Sequence, residues 1–271
     1  MSVKYPVYVI TKGRDEKPLT SIALSKMKVP HYLVVEPQEF QKYDFTKTEF
    51  ATILKLPFSN LNQGSIPARN WCWQDSMEHE RHWILDDNIE QFNRMNHNLQ
   101  VRVDCDAIFK CAEDFVDRYE NIGIAGFEYD FFCKSKWKWS PFRLNTRIYS
   151  CHLIDNSLPF RWRGKFNEDT DLSLRVLKSG YCTILFLAFL QQKTQSMKMK
   201  GGNSEMYERT NNRLEFAESL VAQHPDVARV TRKFGRWHHQ VDYRPFKNNR
   251  LLLKTKLPKG TNEFGMKLKS R

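Results

Sequence analysis

The sequence predicts an α/β domain with a largely parallel central sheet. Short apolar segments alternate with segments of helical pattern through roughly the first 90 residues, which is typical of strands joined by crossover helices. Hydrophobic residues make up 41% of the 271-residue chain and charged residues 27%, an ordinary globular mixture that argues against disorder throughout. A chain of this length can bury a sizeable core.

Four apolar runs in the first part of the chain predict strands, each followed by a polar residue or a proline. These strands span residues 7–10, 31–35, 51–56 and 82–85. The connecting segments predict helices, one over residues 19–27 and one from Ser65 toward His82. In the second helix Ser65 suits the cap and Pro67 suits the first turn.

The second part of the chain continues the alternation. The predicted elements are a helix over 106–119, a strand over 122–127, a helix over 169–179 ended by Gly180, a strand over 181–190, a loop over 198–203 and a long helix from Ser204 to about His224. No internal repeat and no linker-like segment interrupts them. We therefore expect a single domain over residues 1–253, followed by a loose basic tail over residues 254–271.

Positive charge is the unusual feature of the composition. Lys and Arg number 43 and Asp and Glu 31, a formal net charge of +12. The excess is concentrated in residues 131–165, with eight basic residues and one acid, and in residues 229–256, with nine and one. Such a surplus indicates a polyanionic partner: nucleic acid, an anionic membrane face or a phosphorylated small molecule.

The sequence contains neither a run long and apolar enough for a spanning helix nor the apolar core of an export signal at its start. The six cysteines form no C-x-x-C pair. We therefore expect reduced thiols that act as small buried apolar side chains, rather than a zinc site.

Polar side chains at predicted strand ends and helix starts are the candidates for chemistry. Asp86-Asp87-Asn88 directly follows an apolar strand, at the edge where ligands bind in open α/β sheets. Hard oxygen ligands there suit Mg²⁺ or Mn²⁺ bridging a diphosphate, although an exposed acidic turn is the alternative. Arg14 and Arg69 suit phosphate or a nucleobase, or are ordinary surface arginines.

Three acids, Glu168, Asp169 and Asp171, occupy the start of one predicted helix. Acids there satisfy free N–H groups and the helix dipole, but a carboxylate in a cleft also serves as a general base. Gly201-Gly202 allows close approach to phosphates or forms a simple hinge. His238 and His239 are adjacent, so on a strand at most one of them would serve a metal.

Taken together and in order, these motifs resemble those of a known enzyme family. The chain contains Thr11-x-x-Arg14, Glu36, Pro67-Ala68-Arg69-Asn70, Leu85-Asp86-Asp87-Asn88 and the block over residues 167–175, followed by Gly180-Tyr181. This set resembles nucleotide-sugar-dependent glycosyltransferases of the GT-A fold over about residues 5–190. A narrower resemblance is carried by residues 84–89, the block over 167–175, Lys200-Gly201-Gly202-Asn203 and Trp237-His238-His239. These features resemble the phage-encoded TET-associated DNA glycosyltransferases and relatives, arabinosyltransferases included, that modify 5-hydroxymethylpyrimidines.

The resemblance implies a role for each matched position. The donor nucleotide sugar, a UDP-sugar, would be held by Thr11, Arg14, Glu36, Arg69, Asp86, Gly201, Gly202 and Asn203. A divalent ion, Mn²⁺ or Mg²⁺, would be held by Asp86, Asp87, Asn88 and His238. Asp169 would be the catalytic base, with Glu168 beside it. Residues before about 125 would form the donor half of the domain, and residues 126–253 the acceptor half.

The resemblance also gives the basic surplus a meaning. The acceptor would be double-stranded DNA with hydroxymethylated pyrimidines, gripped by its phosphates and with the target base flipped into the site. The predicted DNA-binding residues are Lys134, Lys136, Trp137, Lys138, Trp139, Arg143, Arg161 and Arg163. An enzyme of this kind would work in the cytoplasm of an infected bacterial host, with no membrane and no obligate protein partner.

Three other hypotheses remain open at the level of sequence. The same fold would serve a polysaccharide or lipid acceptor. A nucleotidyltransferase also uses acids at strand ends, although its usual glycine-rich loop is poorly matched by residues 11–14. A non-catalytic DNA-binding protein fits the charge but leaves the acids unexplained. The transferred sugar, and whether its configuration is inverted or retained, are not indicated.

Overall fold

Ten strands form one central sheet in the computed structural model, which describes residues 3–43, 49–135, 137–194, 213–233, 235–254, 260–261 and 265–268. The strands are β1 (Val7–Ile10), β2 (His31–Val35), β3 (Ala51–Lys55), β4 (Arg81–Asp86), β5 (Ile89–Asn96), β6 (Leu99–Arg102), β7 (Ile122–Tyr129), β8 (Phe142–Leu144), β9 (Cys151–Asp155) and β10 (Cys182–Lys193). Their order across the sheet is β3-β2-β1-β4-β9-β7-β10-β5-β6, with β8 paired to β10.

Helices cover both faces of this sheet. Those in the described residues are α1 (Leu19–Lys26), α2 (Ile66–Asp75), α3 (Ala107–Val116), α4 (Glu168–Lys178) and α5 (Arg213–Gln223). A separate hairpin of β11 (Ala228–Lys233) and β12 (Arg236–Val241) packs against α5. Within the predicted tail, β13 (Gly260–Thr261) pairs with β14 (Lys267–Leu268). None of the helices in the described ranges has the length and apolar character needed to cross a membrane.

The first four strands run parallel and determine where the site lies. β1 pairs with β2 and β4, and β2 pairs with β3, all in parallel register. Ile10 is opposite both Val34 and Asp86, so the carboxyl ends of three strands meet at one edge. The polar residues that follow these strands in the sequence are thereby gathered in one place.

The second half of the sheet contains antiparallel pairs as well. β9 lies antiparallel between β4 and β7, β10 is parallel to β7, and the β5–β6 hairpin is antiparallel to β10. Seven of the ten strands (β1 to β4, β6, β7 and β10) run in one direction. The predicted α/β fold with a mostly parallel central sheet is confirmed.

The core consists of two apolar layers, one on each face of the sheet. Trp83 on β4 packs with Phe109 and Phe127 on the face covered by α1 and α3. Its neighbour Ile84 points to the opposite face and packs with Trp73 under α2 and α4. This alternation is the ordinary consequence of the strand period of two. Four of the six cysteines are buried as expected, whereas Cys105 is exposed and Cys111 is half-buried, which corrects the expectation for these two.

Several predicted boundaries need correction. The predicted helix from Ser65 toward His82 ends at Asp75, and the helix predicted over residues 106–119 is α3, Ala107–Val116. Ser65 precedes α2 but makes no capping hydrogen bond with its side chain, because its hydroxyl instead accepts a hydrogen bond from Arg69 Nε at 3.2 Å. The predicted loop over residues 198–203 and the start of the long helix lie outside the described residues.

Candidate active site

A cavity of about 1020 Å³ opens at the carboxyl edge of the parallel strands. Residues after β1, β2 and β4, the first turns of α2 and α4, the end of β10 and part of β12 form its walls. The predicted donor, metal and catalytic residues that line it are Thr11, Arg14, Glu36, Arg69, Asp86, Asp87, Asn88, Glu168, Asp169 and His238. Gly201, Gly202 and Asn203 lie outside the described residues.

Asp86, at the end of β4, is the most strongly paired acid in the cavity. Its Oδ1 accepts a hydrogen bond from Arg69 at 2.8 Å, and its Oδ2 accepts one from Lys193 Nζ at 2.6 Å. Burial opposes the charge of this carboxylate, yet Lys193 and Arg69 hold the pKa of Asp86 well below its ordinary value. Asp86 is therefore a permanent anion between two cations.

Arg69 is a buried bridge between the two sides of the cavity. Only 4% of its side chain is exposed, and besides Asp86 it donates to Asp169 Oδ1 at 2.9 Å. Its guanidinium carbon lies 4.4 Å from the centre of the Trp162 ring, which packs against the cation. Arg69, which is predicted to bind the donor nucleotide, thus already forms ion pairs with two carboxylates of the protein.

Glu168 and Asp169 form the first turn of α4, and their surroundings differ. Asn167 before them adopts a left-handed conformation (φ 57°), from which the helix starts. Asp169 faces Arg69, and His152 Nε2 lies 3.5 Å from its Oδ1. Burial lowers the pKa of His152 to about 3, so this histidine is neutral. Glu168 has no Lys, Arg or His within ion-pair distance in the described part of the chain, and Ser65 Oγ lies 3.5 Å away.

The protonation of this carboxylate pair is shifted toward neutral pH. Burial and the neighbouring Asp169 raise the pKa of Glu168 to about 7, and burial raises the pKa of Asp169 against the opposing effect of Arg69. Two adjacent carboxylates of this kind titrate as a pair. They can accept a proton from a hydroxyl group near pH 7, as a general base requires.

The remaining predicted donor residues form a second charged cluster near β1. Asp87 accepts a hydrogen bond from Arg14, and burial raises the pKa of Asp87 to about 6 although Arg14 opposes this. Thr11 shares a hydrogen bond with Tyr43 at 3.0 Å. Glu36 pairs with Lys12 at 3.0 Å, and both residues line the cavity. Each of these side chains is held by a neighbour before any ligand arrives.

The predicted metal ligands share the cavity but do not surround a common point. Both oxygens of Asp86 face cations, Asp87 faces Arg14, and the amide of Asn88 donates to the carbonyl of Thr194 at 2.9 Å. No three His, Cys, Asp or Glu side chains converge on one position within the described ranges. The donor set as arranged does not fit a resident divalent ion, which needs free carboxylate oxygens.

The predicted DNA-binding residues fall into two groups. Those exposed on the surface after β7 are Lys134, Trp137, Lys138 and Arg143 together with half-buried Trp139, and the two tryptophan rings stack 5.9 Å apart. Arg161 lies over the Trp73 ring and donates to backbone carbonyls, while Arg163 pairs with Asp171 at 3.0 Å. Arg161 thus packs against α2, and Arg163 pairs with an acid of α4. Lys136 lies outside the described residues.

An aromatic column beside the acids was not predicted. Phe131 is 57% exposed at the cavity wall and stacks on Tyr129, with ring centres 5.3 Å apart and planes at 11°. Tyr129 stacks in turn with Tyr149, whose hydroxyl lies 3.1 Å from that of Thr170, next to Asp169. The consecutive aromatics after β7 were the available signal, but the sequence alone does not place them at the cavity.

Lys193 was also missed, because the strand was predicted to end at Leu190. β10 instead continues to Lys193, which carries the ammonium group to Asp86. The reason is that residues 189–193 pair with β5, a strand rich in polar residues that the apolar pattern did not reveal.

Comparison with known proteins identifies the family of the chain. A model of the TET-Associated Glycosyltransferase family matches residues 5–202. The chain belongs to the TET-associated glycosyltransferase family. The predicted family is thereby confirmed, and with it the class of enzyme, a glycosyltransferase. No curated protein sequence matches the chain.

Solved structures similar to this TET-associated glycosyltransferase include crystal structures of S. aureus TarS 1-349, one alone and one in complex with UDP. Each aligns with 14% sequence identity and a TM-score of 0.45 over 82% of this chain. The chain spans 66% of the length of the TarS chain. The likeness is therefore distant.

Proposed function

We propose that this glycosyltransferase moves a sugar from a UDP-sugar to the hydroxymethyl group of 5-hydroxymethylcytosine, or a related hydroxymethylpyrimidine, in double-stranded DNA. The observation that carries the proposal is the position of Glu168 and Asp169. They lie in the same cavity as the charged residues after β1 and β4 and close to an aromatic column. Family membership supplies the reaction class.

The carboxylate pair supports the chemistry of the acceptor. Asp169, with Glu168 beside it, takes the proton as the hydroxymethyl oxygen attacks the anomeric carbon of the sugar. The new carbon–oxygen bond forms as the bond from that carbon to the diphosphate breaks, and UDP leaves with the electron pair. A single displacement of this kind inverts the configuration of the sugar. We include no divalent ion in the step, because both oxygens of Asp86 already face cations.

The cavity wall supports a flat aromatic acceptor. A base inside a duplex cannot reach a buried carboxylate, so it has to be flipped out of the stack. The exposed ring of Phe131 offers a stacking surface at the cavity, in line with Tyr129 and Tyr149. Lys134, Lys138 and Arg143 are exposed nearby in sequence, and such residues grip phosphates irrespective of base sequence.

The division into a donor half before about residue 125 and an acceptor half after it remains part of this proposal. The cavity is lined from both sides of that boundary. A DNA acceptor also implies that the enzyme works where phage DNA is made, in the cytoplasm of the infected host cell.

The proposal is tested by mass spectrometry of modified DNA. The enzyme is incubated with a panel of UDP-sugars and DNA containing 5-hydroxymethylcytosine, and the nucleosides are weighed after digestion. We expect one sugar residue added to the hydroxymethylated nucleoside and none to unmodified cytosine. Addition of a nucleotide would indicate a nucleotidyltransferase, and sugar transfer only to a glycan or lipid would contradict the DNA acceptor.

Asp169→Asn provides the control for catalysis. We expect this variant to bind the same DNA as tightly as the wild type and to transfer no sugar, because the substitution removes the proton acceptor and keeps the shape. Full activity of Asp169→Asn would contradict the assigned base.

A further inference from the structure

Lys193 lines the cavity, and its ammonium group is held by neighbouring side chains. Its Nζ lies 2.6 Å from Asp86 Oδ2 and 2.6 Å from Ser150 Oγ, and the side chain is 13% exposed. The ring of Tyr129 lies 5.9 Å below the ammonium group. An ammonium has three N–H donors, and two acceptors contact it within the described residues, so the third donor remains for a ligand.

The backbone around Lys193 explains how the side chain reaches the cavity. The register of the β10–β5 pair shifts between Gln192 and Lys193, so that Glu90 is passed over and Lys193 is opposite Ile89. A bulge of this kind re-aims a side chain, and bulges are common beside active sites.

Asn88 holds this end of β10 in place. Its side-chain amide donates to the carbonyl of Thr194 at 2.9 Å, and its own carbonyl accepts from the Thr194 N–H at 3.1 Å. A carboxylate at position 88 could not donate that first hydrogen bond. The third residue of the acidic triplet therefore secures the segment carrying Lys193, in place of offering an oxygen to a metal.

The charges of the triplet are balanced without a metal ion. Asp86 lies between Arg69 and Lys193, and Asp87 lies against Arg14. A divalent ion at Asp86 would have to displace one of these cations or lie beside it, and like charges at such distances repel strongly in a buried site.

We propose that Lys193 is the cation that donates a hydrogen bond to the diphosphate of the nucleotide sugar, and that this enzyme binds its donor without a divalent metal ion. The inference rests on the proposed nucleotide-sugar donor. Negative charge accumulates on the leaving diphosphate as its bond to the sugar breaks, and a fixed ammonium stabilises that charge without reorganising. Asp86 and Asn88 act as positioning residues for it.

Binding of UDP, measured by titration calorimetry on the 271-residue chain, tests this inference. For the wild type we expect the same Kd, within about threefold, in EDTA and in Mn²⁺. In EDTA we expect Lys193→Gln to weaken binding by about tenfold or more, as the loss of a charged hydrogen bond does, and Lys193→Arg to retain most of it. Wild-type binding that is lost in EDTA and restored by Mn²⁺ would overturn the inference.

Lys110→Gln is the matched control. Lys110 pairs with Asp106 at 2.8 Å and is also 13% exposed, but it lies on α3 and not at the cavity wall. We expect its UDP binding to equal that of the wild type. Equal UDP binding by folded Lys193→Gln and Lys110→Gln, with folding checked by circular dichroism, would overturn the role of Lys193.

This experiment separates the inference from the proposed acceptor. UDP binding in EDTA together with no sugar transfer to DNA would leave the role of Lys193 intact and refute the DNA acceptor. No UDP binding in either EDTA or Mn²⁺ would overturn both the donor and this inference.

Discussion

Glu168 and Asp169 are neighbours in sequence, but their side chains have different partners. Asp169 forms an ion pair with Arg69, whereas Glu168 has no cation within ion-pair distance among the described residues. Since burial and Asp169 raise the pKa of Glu168 to about 7, the proton-accepting form of the pair is lost when the pH falls below that value. Sugar transfer by the wild type is expected to decline as the pH is lowered through about 7.

Glu168→Gln should move this decline to lower pH. The substitution removes the like charge beside Asp169, so the remaining carboxylate ionises more easily. The measurement is the single-turnover rate of sugar transfer between pH 5 and pH 9 for both proteins. An identical midpoint in the two profiles would contradict the assignment of Glu168 to the proton-accepting pair.

Arg69→Ala should destabilise the protein strongly, because it leaves the half-buried carboxylates of Asp86 and Asp169 with one cation fewer. Breaking a buried ion pair typically costs about 3–5 kcal/mol of unfolding free energy, and Arg69 is only 4% exposed. Urea unfolding measures the loss. Arg102→Ala is the control: Arg102 pairs with Asp104 at 2.9 Å but is 50% exposed, so a loss of at most about 1 kcal/mol is expected. Equal losses would refute the structural role of Arg69.

The sequence predicts the acids and arginines of the cavity as functional residues because each follows an apolar strand or begins a helix. Asp86, Arg69 and Asp169 are in this class, and the structure brings all three together. It could not select Lys193, whose importance depends on a bulge between β10 and β5. Nor could it foresee that Arg69 and Lys193 occupy the oxygens of Asp86, because ion pairs between distant segments leave no local pattern.

Among the elements, most of the strands that the sequence predicts are buried on both faces, although predicted β3 is half-exposed and buried β9 is not predicted. β1 and β2 are largely apolar runs and β4 has an apolar centre, and the sequence predicts all three within about one residue. β5 contains Glu90, Gln91, Asn93 and Arg94 and was missed, although residues 97 and 98, with φ of 50° and 61°, form a turn typical of a tight hairpin. β11 and β12 are half-exposed, so their polar residues obscured the strand pattern.

The short 3-10 turn after β7, Asp130–Phe132, presents the exposed end of the aromatic column. Phe131→Ala should raise the KM for hydroxymethylated DNA by about tenfold, as the loss of one base-stacking surface does, with kcat nearly unchanged. The unfolding free energy should also stay unchanged, because the ring is 57% exposed. Steady-state kinetics on a defined duplex and urea unfolding provide the two measurements.

Leu252→Ala is the control for that substitution, since Leu252 is 54% exposed and does not line the cavity. Its KM should equal that of the wild type. A Phe131→Ala variant with unchanged KM, or one that loses stability instead, would contradict a stacking role.

Over the whole molecule, the net charge of +12 predicts that DNA affinity falls as the salt concentration rises. If the exposed cations after β7 grip phosphates, the logarithm of DNA affinity falls linearly with the logarithm of salt concentration. Replacing Lys134, Lys138 and Arg143 together by alanine should reduce that slope by up to roughly three. Fluorescence anisotropy over a series of NaCl concentrations measures the slope. An unchanged slope would place the DNA contacts elsewhere.

Arg69 gives the molecule a thermodynamic coupling between its two reaction partners. One guanidinium serves Asp86, on the side proposed for the donor, and Asp169, on the side of the acceptor hydroxyl. A change of charge at either carboxylate alters the field at the other, so Asp86→Asn and Asp169→Asn will not have additive effects on unfolding free energy. The double-mutant cycle of these two substitutions gives the size of that coupling, and in the catalytic cycle the same free energy links occupancy of the donor site to proton affinity at the base.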